Sequence, residues 1–367
     1  MKKQIVYYLA LLALSGWLHY SCTRGNSEPE SATEITLDID LKSLDNVVFS
    51  EIPNIFSDIY DSRYWVANDS IVLIENSQSK GNFLDIANLN TGKRFGAFLP
   101  YGEGPDEMIF SSIKFDGYHI IAQDYIRSRF AQFTVNNLIS SDFKPAFLSF
   151  PRKLRATSNP ILIDDSILLI NSFRYINKEY GIAQPEPRFI SLDSKNASSD
   201  YNTNNLLQTQ NVGQVTAAYN LFDNHIWLAS LEKSIIEIYD STKTLSKKII
   251  VPSKVAGDPR VTILDSPGGK EVIAKDQRSS AFQSISFDII DGSAYMLFVG
   301  EIFLKGQSRE DKGAYILHFD HEGNFINGAY SPQYIRNISV SNGTIYATIL
   351  DEDENPKLVK ATLPDEK

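Results

Sequence analysis

Apolar and polar residues alternate along this chain in runs of five to nine residues, and clusters of Asn, Asp, Gly and Ser separate the runs. Alternation with a period of two is typical of strands that bury one face. Beyond residue 31 the sequence shows no convincing amphipathic helix with a 3.6-residue spacing. The pattern therefore predicts an all-β body.

A strand–turn–strand unit recurs along this body. Each copy joins two apolar runs through an Asx or Gly turn, the chemistry of a tight β-hairpin. The marker residues of the six turns are Asp69, Asp116, Asp165, Asp223, Asp291 and Asn342. Their spacings of 47, 49, 58, 68 and 51 residues lie near the ~40–50-residue period of propeller repeats. The repeat predicts one blade per unit.

The last unit reaches the end of the chain after its third strand, and an unassigned alternating segment lies at residues 34–40. We expect this segment to supply the missing fourth strand, which closes a six-bladed β-propeller and removes an exposed sheet edge. The alternative is a pair of β-sandwiches, but tandem units at a near-constant period favour the ring.

The N-terminal residues have the pattern of a targeting signal. Two lysines precede a ten-residue apolar run at residues 5–14, and the only cysteine, Cys22, follows it. This arrangement resembles a bacterial lipoprotein signal, in which the cysteine is lipidated. It predicts a signal peptide over residues 1–21, a lipidated Cys22 with a flexible tether over 22–33, and the propeller over 34–367. The alternative is a secreted protein with an incidental cysteine in its leader.

A short motif adds a family resemblance. Residues 102–107, Gly-Glu-Gly-Pro-Asp-Glu, resemble the Gly-x-Gly-Pro-Gly-Glu signature between the first two blades of six-bladed propeller lipoproteins of Bacteroidetes, relatives of NHL-like and TolB-like propellers. Asp106 replaces the usual third glycine. Residues 120–124 and 130–133 are similar to the next blade of that family. The resemblance implies the fold and a cell-envelope location, anchored in the outer membrane and facing the periplasm or the cell surface, but implies little about activity.

The net charge of the chain limits the classes of partner that we expect it to bind. The chain has 35 Lys and Arg against 45 Asp and Glu, a net charge of -10, which disfavours nucleic acid and anionic lipid surfaces. A single cysteine excludes an intramolecular disulfide and multi-cysteine metal sites. We expect no cofactor, and the membrane is reached only through the lipid on Cys22.

No motif specifies a reaction. The pair Gly102 and Gly104 lacks the third glycine and the lysine of a phosphate-binding loop. His318 and His321 would point to opposite faces of a strand. The acidic run at residues 351–354 is typical of a solvated loop. We therefore assign no catalytic residue and no metal ligand.

Loop length suggests a binding face instead. Long segments at residues 99–109, 173–187, 252–280 and 301–312 all fall at the end of the ring where first strands begin. The polar residues predicted at that rim are Arg63, Arg155, Gln214, Gln283 and Arg336. The three arginines could clamp a carboxylate or sulfate, although pairing with neighbouring acids is the more frequent arrangement.

These observations predict a lipid-anchored, non-catalytic propeller that binds a glycan, a peptide or an envelope protein. The alternative is a metal-dependent propeller hydrolase or lyase, similar to a lactonase, with its site at the central channel and ligands drawn from several blades.

Overall fold

Antiparallel sheets of sequential strands make up most of the computed structural model. The described residues are 32–53, 55, 62–76, 81–109, 112–140, 143–149, 158–163, 166–171, 189–193, 209–210, 215–231, 233–255, 261–266, 269–274, 277–304 and 312–364. Among them, no helix has the length and apolar character needed to cross a bilayer. The predicted all-β body is confirmed.

The N-terminal part contributes two short strands, β1 (Thr33–Thr36) and β2 (Ser50–Glu51), separated by a 3₁₀ turn at Leu41–Ser43. Sheet 1 then contains β3 (Arg63–Ala67), β4 (Ile71–Glu75), β5 (Asn82–Asn88) and β6 (Arg94–Pro100). Sheet 2 contains β7 (Ser112–Phe115), β8 (His119–Asp124), β9 (Arg129–Thr134) and β10 (Leu148–Ser149), with helix α1 (Val135–Leu138) after β9.

Sheet 3 has three strands, β11 (Ser158–Ile163), β12 (Ser166–Asn171) and β13 (Phe189–Asp193). A separate small sheet combines β14 (Thr209–Gln210) with two later strands. Sheet 4 contains β15 (Val215–Asn220), β16 (His225–Ser230), β17 (Ile235–Tyr239) and β18 (Leu245–Ile250). The strands that complete the small sheet are β19 (Val261–Ser266) and β20 (Gly269–Ala274). These two strands lie in the 252–280 segment that the sequence analysis treated as a loop.

Sheet 5 contains the long pair β21 (Gln277–Phe287) and β22 (Ala294–Leu304), followed by β23 (Ala314–Phe319) and β24 (Phe325–Ser331). Sheet 6 contains β25 (Ile335–Ser341), β26 (Thr344–Leu350) and β27 (Pro356–Ala361). β2 is the fourth strand of sheet 6, next to β27.

Apolar layers join the sheets in a propeller arrangement. Sheet 1 packs on sheet 2 through Trp65 and Phe115, sheets 2, 3 and 4 share a layer, and sheet 4 packs on sheet 5 through Trp227 and Phe319. Sheet 5 packs on sheet 6, and sheet 6 packs back on sheet 1 through Leu358. Buried apolar surface between successive sheets is therefore the main source of stability.

The prediction that residues 34–40 complete the last blade is wrong. The segment at 34–40 lies beside sheet 4, where Leu37 N donates to Ile250 O at 3.0 Å and Ile35 and Ile39 pack on the core of sheets 4 and 5. The strand that adds to sheet 6 is β2, in which Ser50 pairs with Lys360. Both segments are short edge strands, and alternation alone does not specify which free edge each one pairs with.

Between β1 and β2, the chain also runs beside the outer strand of sheet 5. Val47 N donates to Tyr330 O at 2.8 Å, and Tyr330 N donates to Asp45 O at 2.9 Å. Residues 34–52 thus run along the outer strands of sheets 4, 5 and 6 in turn. We call this segment the N-terminal belt.

The Gly-Glu-Gly-Pro-Asp-Glu segment is a loop folded around its own final carboxylate. Gly104 N donates to Glu107 Oε2 at 2.6 Å, and a Cβ on Gly102 would collide with the same carboxylate. Arg127 donates to Gly104 O at 2.8 Å and Arg129 to Pro105 O at 2.7 Å. The motif therefore has a local structural role, since its glycines leave room for Glu107.

Candidate functional site

Arg63 lies at the start of β3 and is already paired. Its guanidinium donates to Glu75 Oε2 at 3.0 Å. The Glu75 carboxylate is buried, and its other oxygen accepts from Ile113 N at 3.0 Å. Burial raises the pKa of the nearby Tyr125, the Ser112 hydrogen bond opposes this rise, and the Glu75 charge adds to it. Arg63 therefore forms an ion pair with a buried carboxylate that lies between sheets 1 and 2.

The other predicted rim residues divide into two groups. Arg336 is the second residue of β25 and donates to Ser62 O at 3.5 Å, so it lies beside the start of β3 near Arg63. Gln283 is not at a strand start, because β21 begins six residues earlier, at Gln277. Arg155, Gln214 and the lipidation candidate Cys22 lie outside the described residues. The structure therefore brings Arg63 close to Arg336 and leaves the proposed arginine clamp a prediction.

A cavity of ≈ 380 Å³ lies at the opposite end of the sheets. This end carries the turns between first and second strands, and we call it the hairpin face. The cavity is lined by the turns of sheets 2, 4 and 5, through Asp116, Tyr118, Tyr219, Asn220, Leu221, Phe222, Phe287, Asp288 and Ile289.

Large apolar side chains around this cavity are exposed. Tyr118 is 47% exposed, Phe222 54% and Ile290, next to the lining residue Ile289, 62%. Leu221 and Ile289 are also exposed. Isolated exposed apolar residues are ordinary, but a contiguous group of them at a cavity indicates a binding surface. We call Tyr118, Leu221, Phe222, Ile289 and Ile290 the apolar rim.

Buried or half-buried polar side chains fix the backbone of the rim. Asp116 Oδ1 accepts from Tyr118 N at 3.0 Å and from His119 N at 2.7 Å. Asn220 Oδ1 accepts from Phe222 N at 3.0 Å, and Asp288 Oδ1 accepts from Ile290 N at 3.0 Å. These are Asx turns, in which the side chain replaces a backbone acceptor. The exposed side chains of the apolar rim therefore lie on turns whose backbone is fixed by these hydrogen bonds.

The turns are also tied to one another. Phe287 N donates to Asp116 O at 2.9 Å, which joins sheet 5 to sheet 2, and Asn220 Nδ2 donates to Gly292 O at 2.9 Å, which joins sheet 4 to sheet 5. Gly117 has φ +107°, and a Cβ there would collide with Phe287 O. The close approach of sheets 2 and 5 thus requires glycine at this position.

The two histidines considered as metal ligands have separate surroundings. His318 stacks on Tyr295 with ring centroids 4.1 Å apart, and burial lowers its pKa. His321 lies against Phe222 at 5.1 Å. In the acidic run, Asp351 accepts backbone hydrogen bonds from Asp353 and Asn355. Across the described ranges, no group of three or more His, Cys, Asp or Glu side chains could hold a metal ion.

The repeat pattern does not reveal the apolar rim, because Leu221, Phe222, Ile289 and Ile290 directly precede turn markers and match the apolar runs expected of strands. In the structure β15 ends at Asn220 and β16 begins at His225, so the first pair lies in the turn. A usable signal was present. An apolar pair placed between two Asx residues, as in Asn220 to Asp223, marks such a turn. Asn220 accepts from Phe222 N, and Asp223 accepts from His225 N in the next Asx turn.

Comparisons with known proteins agree with this fold. A family model described as TolB-like 6-blade propeller-like matches residues 63–343. A structure of a DUF4221 family member from Bacteroides vulgatus is similar at 13% identity and a TM-score of 0.53, covering 88% of this chain and 97% of that one. A putative exported protein from Bacteroides fragilis is similar at 13% identity and a TM-score of 0.51, covering 92% and 99%. The search of curated proteins found no match.

Proposed function

The chain belongs to the TolB-like 6-blade propeller-like family, and we propose that it is a non-catalytic binding module whose ligand site is the cavity on the hairpin face. The observation that carries this proposal is the apolar rim, five exposed side chains gathered from three sheets around one cavity. Because their turns are fixed by Asx hydrogen bonds, binding would cost little ordering of the protein.

The chemistry of the rim favours a polypeptide ligand. Leu221, Ile289 and Ile290 are aliphatic and offer no hydrogen bonds, whereas a sugar needs several. Two polar side chains of the lining are already used, since Asp288 accepts from Ile290 N and from Gly343 N, and Asn220 donates to Gly292 O. An apolar side chain of a partner would bury these surfaces without leaving polar groups unpaired.

Charge favours a basic segment next to that apolar anchor. Asp116, Asp223, Asp288 and Asp291 lie in the turns of the hairpin face, and the whole chain carries a net charge of -10. A partner with Lys or Arg beside its anchor would meet a complementary potential, which speeds association and helps select the partner.

Two further parts of the proposal concern anchoring and closure. A lipid on Cys22 would hold the protein in the cell envelope, and its support is the position of the sole cysteine directly after the apolar leader. Six blades in a closed ring would follow if sheet 3 is a full blade. Support comes from Leu162 N, which donates to Gln132 Oε1 of sheet 2 at 2.7 Å, and from the shared core of sheets 2, 3 and 4.

A peptide selection tests the site. A random peptide library displayed on phage is selected against the immobilised protein, against Phe222→Ser with Ile290→Ser, and against Val48→Ser as a control. Val48 is 84% exposed and lies on the N-terminal belt. We expect the parent and the control to enrich peptides with an apolar residue beside Lys or Arg, and the rim variant to lose them.

Enrichment that survives in the rim variant would overturn the site. The same three proteins are applied to immobilised oligosaccharides, and sugar binding that disappears only in the rim variant would reassign the cavity to glycans.

A further inference from the structure

The inner wall of the hairpin-face cavity carries negative charge. The exposed lining residues belong to the apolar rim, whereas Asp116 is 6% exposed, Asp288 4% and Phe287 4%. Phe287 N donates to Asp116 O at 2.9 Å, and Asp288 follows Phe287 in the chain, so the two aspartates lie on adjoining backbone. Among the described residues that line the cavity, none is a lysine or an arginine. The cavity therefore combines an apolar mouth with an acidic interior.

The two carboxylates keep their charge. No lysine or arginine in the described ranges forms an ion pair with Asp116 or Asp288. Asp116 uses Oδ1 for the backbone bonds of its Asx turn, and its Oδ2 accepts no hydrogen bond from a described residue. The neighbour of Oδ2 is His119 Nδ1 at 3.5 Å, which is longer than an ordinary hydrogen bond. Asp116 Oδ2 is thus a buried acceptor that a cationic donor could use.

The negative potential extends to a neighbouring phenol. Burial raises the pKa of Tyr295 to about 12, and the charges of Asp288 and Asp291 add to this rise. A potential that opposes the formation of a phenolate favours a positive charge in the same surroundings.

Aromatic side chains supply the second element of a cation site. Tyr118, Tyr219, Phe222 and Phe287 line the cavity and come from sheets 2, 4 and 5. The face of an aromatic ring attracts an ammonium group, most strongly where water is excluded, and the ring also packs against an alkyl stem. With a volume of ≈ 380 Å³, the cavity has room for both.

We propose that the hairpin-face cavity binds an alkylammonium group, such as the end of a lysine side chain, through the Asp116 carboxylate and the surrounding aromatic rings. This inference rests on the proposed function and names the group that enters the site, while the apolar rim contacts the adjoining apolar residue. A guanidinium fits less well, because its fork is matched by two acceptor oxygens and Asp116 has one without a hydrogen bond. A metal ion would need more ligands than the described residues gather at any point.

Titration of n-butylammonium into the protein, followed by calorimetry, tests the site without a peptide. The comparison probes are n-butylguanidinium and n-butanol at the same ionic strength, because the first changes the shape of the cation and the second has no charge. We expect saturable binding of butylammonium, weaker binding of butylguanidinium and no binding of butanol.

Three variants locate the bound group. Asp116→Asn should weaken butylammonium binding by roughly 10- to 100-fold, because the amide keeps the acceptor of the Asx turn but lacks the charge. Tyr118→Leu should weaken binding several-fold, since leucine keeps apolar surface and lacks the ring. Tyr118 is 47% exposed, so this variant decides the test if Asp116→Asn does not fold. Asp353→Asn, at an exposed acid between β26 and β27, should bind like the parent.

Equal affinity of the parent and Asp116→Asn for butylammonium, binding of butanol at the same affinity, or tighter binding of butylguanidinium would overturn the assignment. Peptides enriched on the parent without any binding of butylammonium would also overturn it, and would leave the proposed binding module intact. Binding of butylammonium without any enriched peptide would support the cation site and contradict a polypeptide ligand.

Discussion

Thr348 exchanges two hydrogen bonds with the backbone of Tyr64, 284 residues away in sequence. Tyr64 N donates to Thr348 Oγ1 at 2.8 Å, and that hydroxyl donates to Tyr64 O at 3.2 Å. Asn337 Nδ2 also donates to Tyr64 O, at 2.7 Å, and Val66 N donates to Ser339 Oγ at 2.8 Å. Side chains of sheet 6 therefore satisfy the inner strand of sheet 1, where the first and last sheets meet.

Thr348→Val should destabilise this seam by about 1–3 kcal/mol, because it leaves the buried Tyr64 N without an acceptor while keeping the shape of the side chain. Urea unfolding measures the change. Thr344→Val, at the start of the same strand and partly exposed, should stay within about 0.5 kcal/mol. Equal effects for the two variants would show that the Thr348 bonds contribute nothing beyond residue type.

The N-terminal belt offers a comparison between adjacent residues. Val47 is 6% exposed and packs with Ala329 and Ala361, whereas Val48 is 84% exposed. Val47→Asp should lower the free energy of unfolding by at least about 2 kcal/mol, since it buries a carboxylate. Val48→Asp should change it by less than about 0.5 kcal/mol. If Val47→Asp proves as harmless as Val48→Asp, the belt does not hold sheets 5 and 6.

The turns were predictable because their chemistry is local. Asn68, Asp69, Asn224 and Asn342 adopt positive φ, as do Gly117, Gly292 and Gly343, and they lie in the turns that the repeat predicted. Short polar residues and glycine tolerate this backbone. The edge at which β1 pairs was not predictable, because a short alternating strand fits any free edge. The belt depends instead on long-range partners such as Tyr330 and Leu358.

The candidate site was predictable only in part. Arginines at strand starts suggested a rim, but whether Arg63 is free or bound to Glu75 depends on a buried carboxylate contributed by the next strand. The apolar rim arises from turns of three sheets whose marker residues Asp116, Asp223 and Asp291 are 107 and 68 residues apart. Only the folded propeller brings them together.

Gly117→Ala should be more disruptive than Gly343→Ala. Both glycines have positive φ, +107° and +70°, so both variants carry backbone strain of order 1–3 kcal/mol. A Cβ at Gly343 meets nothing within 4 Å, whereas at Gly117 it collides with the carbonyl of Phe287. Gly117→Ala must therefore also separate sheet 2 from sheet 5.

Urea unfolding of the two glycine variants measures the difference, and loss of peptide binding in Gly117→Ala alone would connect this contact to the hairpin-face cavity. A larger loss of stability in Gly343→Ala would contradict the contact between Gly117 and Phe287.

Lys114 gives a pH dependence with a definite sign. Its pKa is lowered from 10.5 to about 8 in the folded protein, so the folded state releases the proton first. Below pH 8 the full cost of the buried ammonium is present. Between about pH 8 and 10.5 the unfolded state binds more protons, and stability rises with pH.

At pH 7, Lys114→Met should therefore be more stable than the parent by at most about 3 kcal/mol, and this gap should shrink as the pH approaches 10.5. Urea unfolding at several pH values measures the gap. Lys93→Met, at an exposed lysine between β5 and β6, provides the comparison without a pH-dependent difference. A gap that does not change with pH would mean that Lys114 is solvated like a surface lysine.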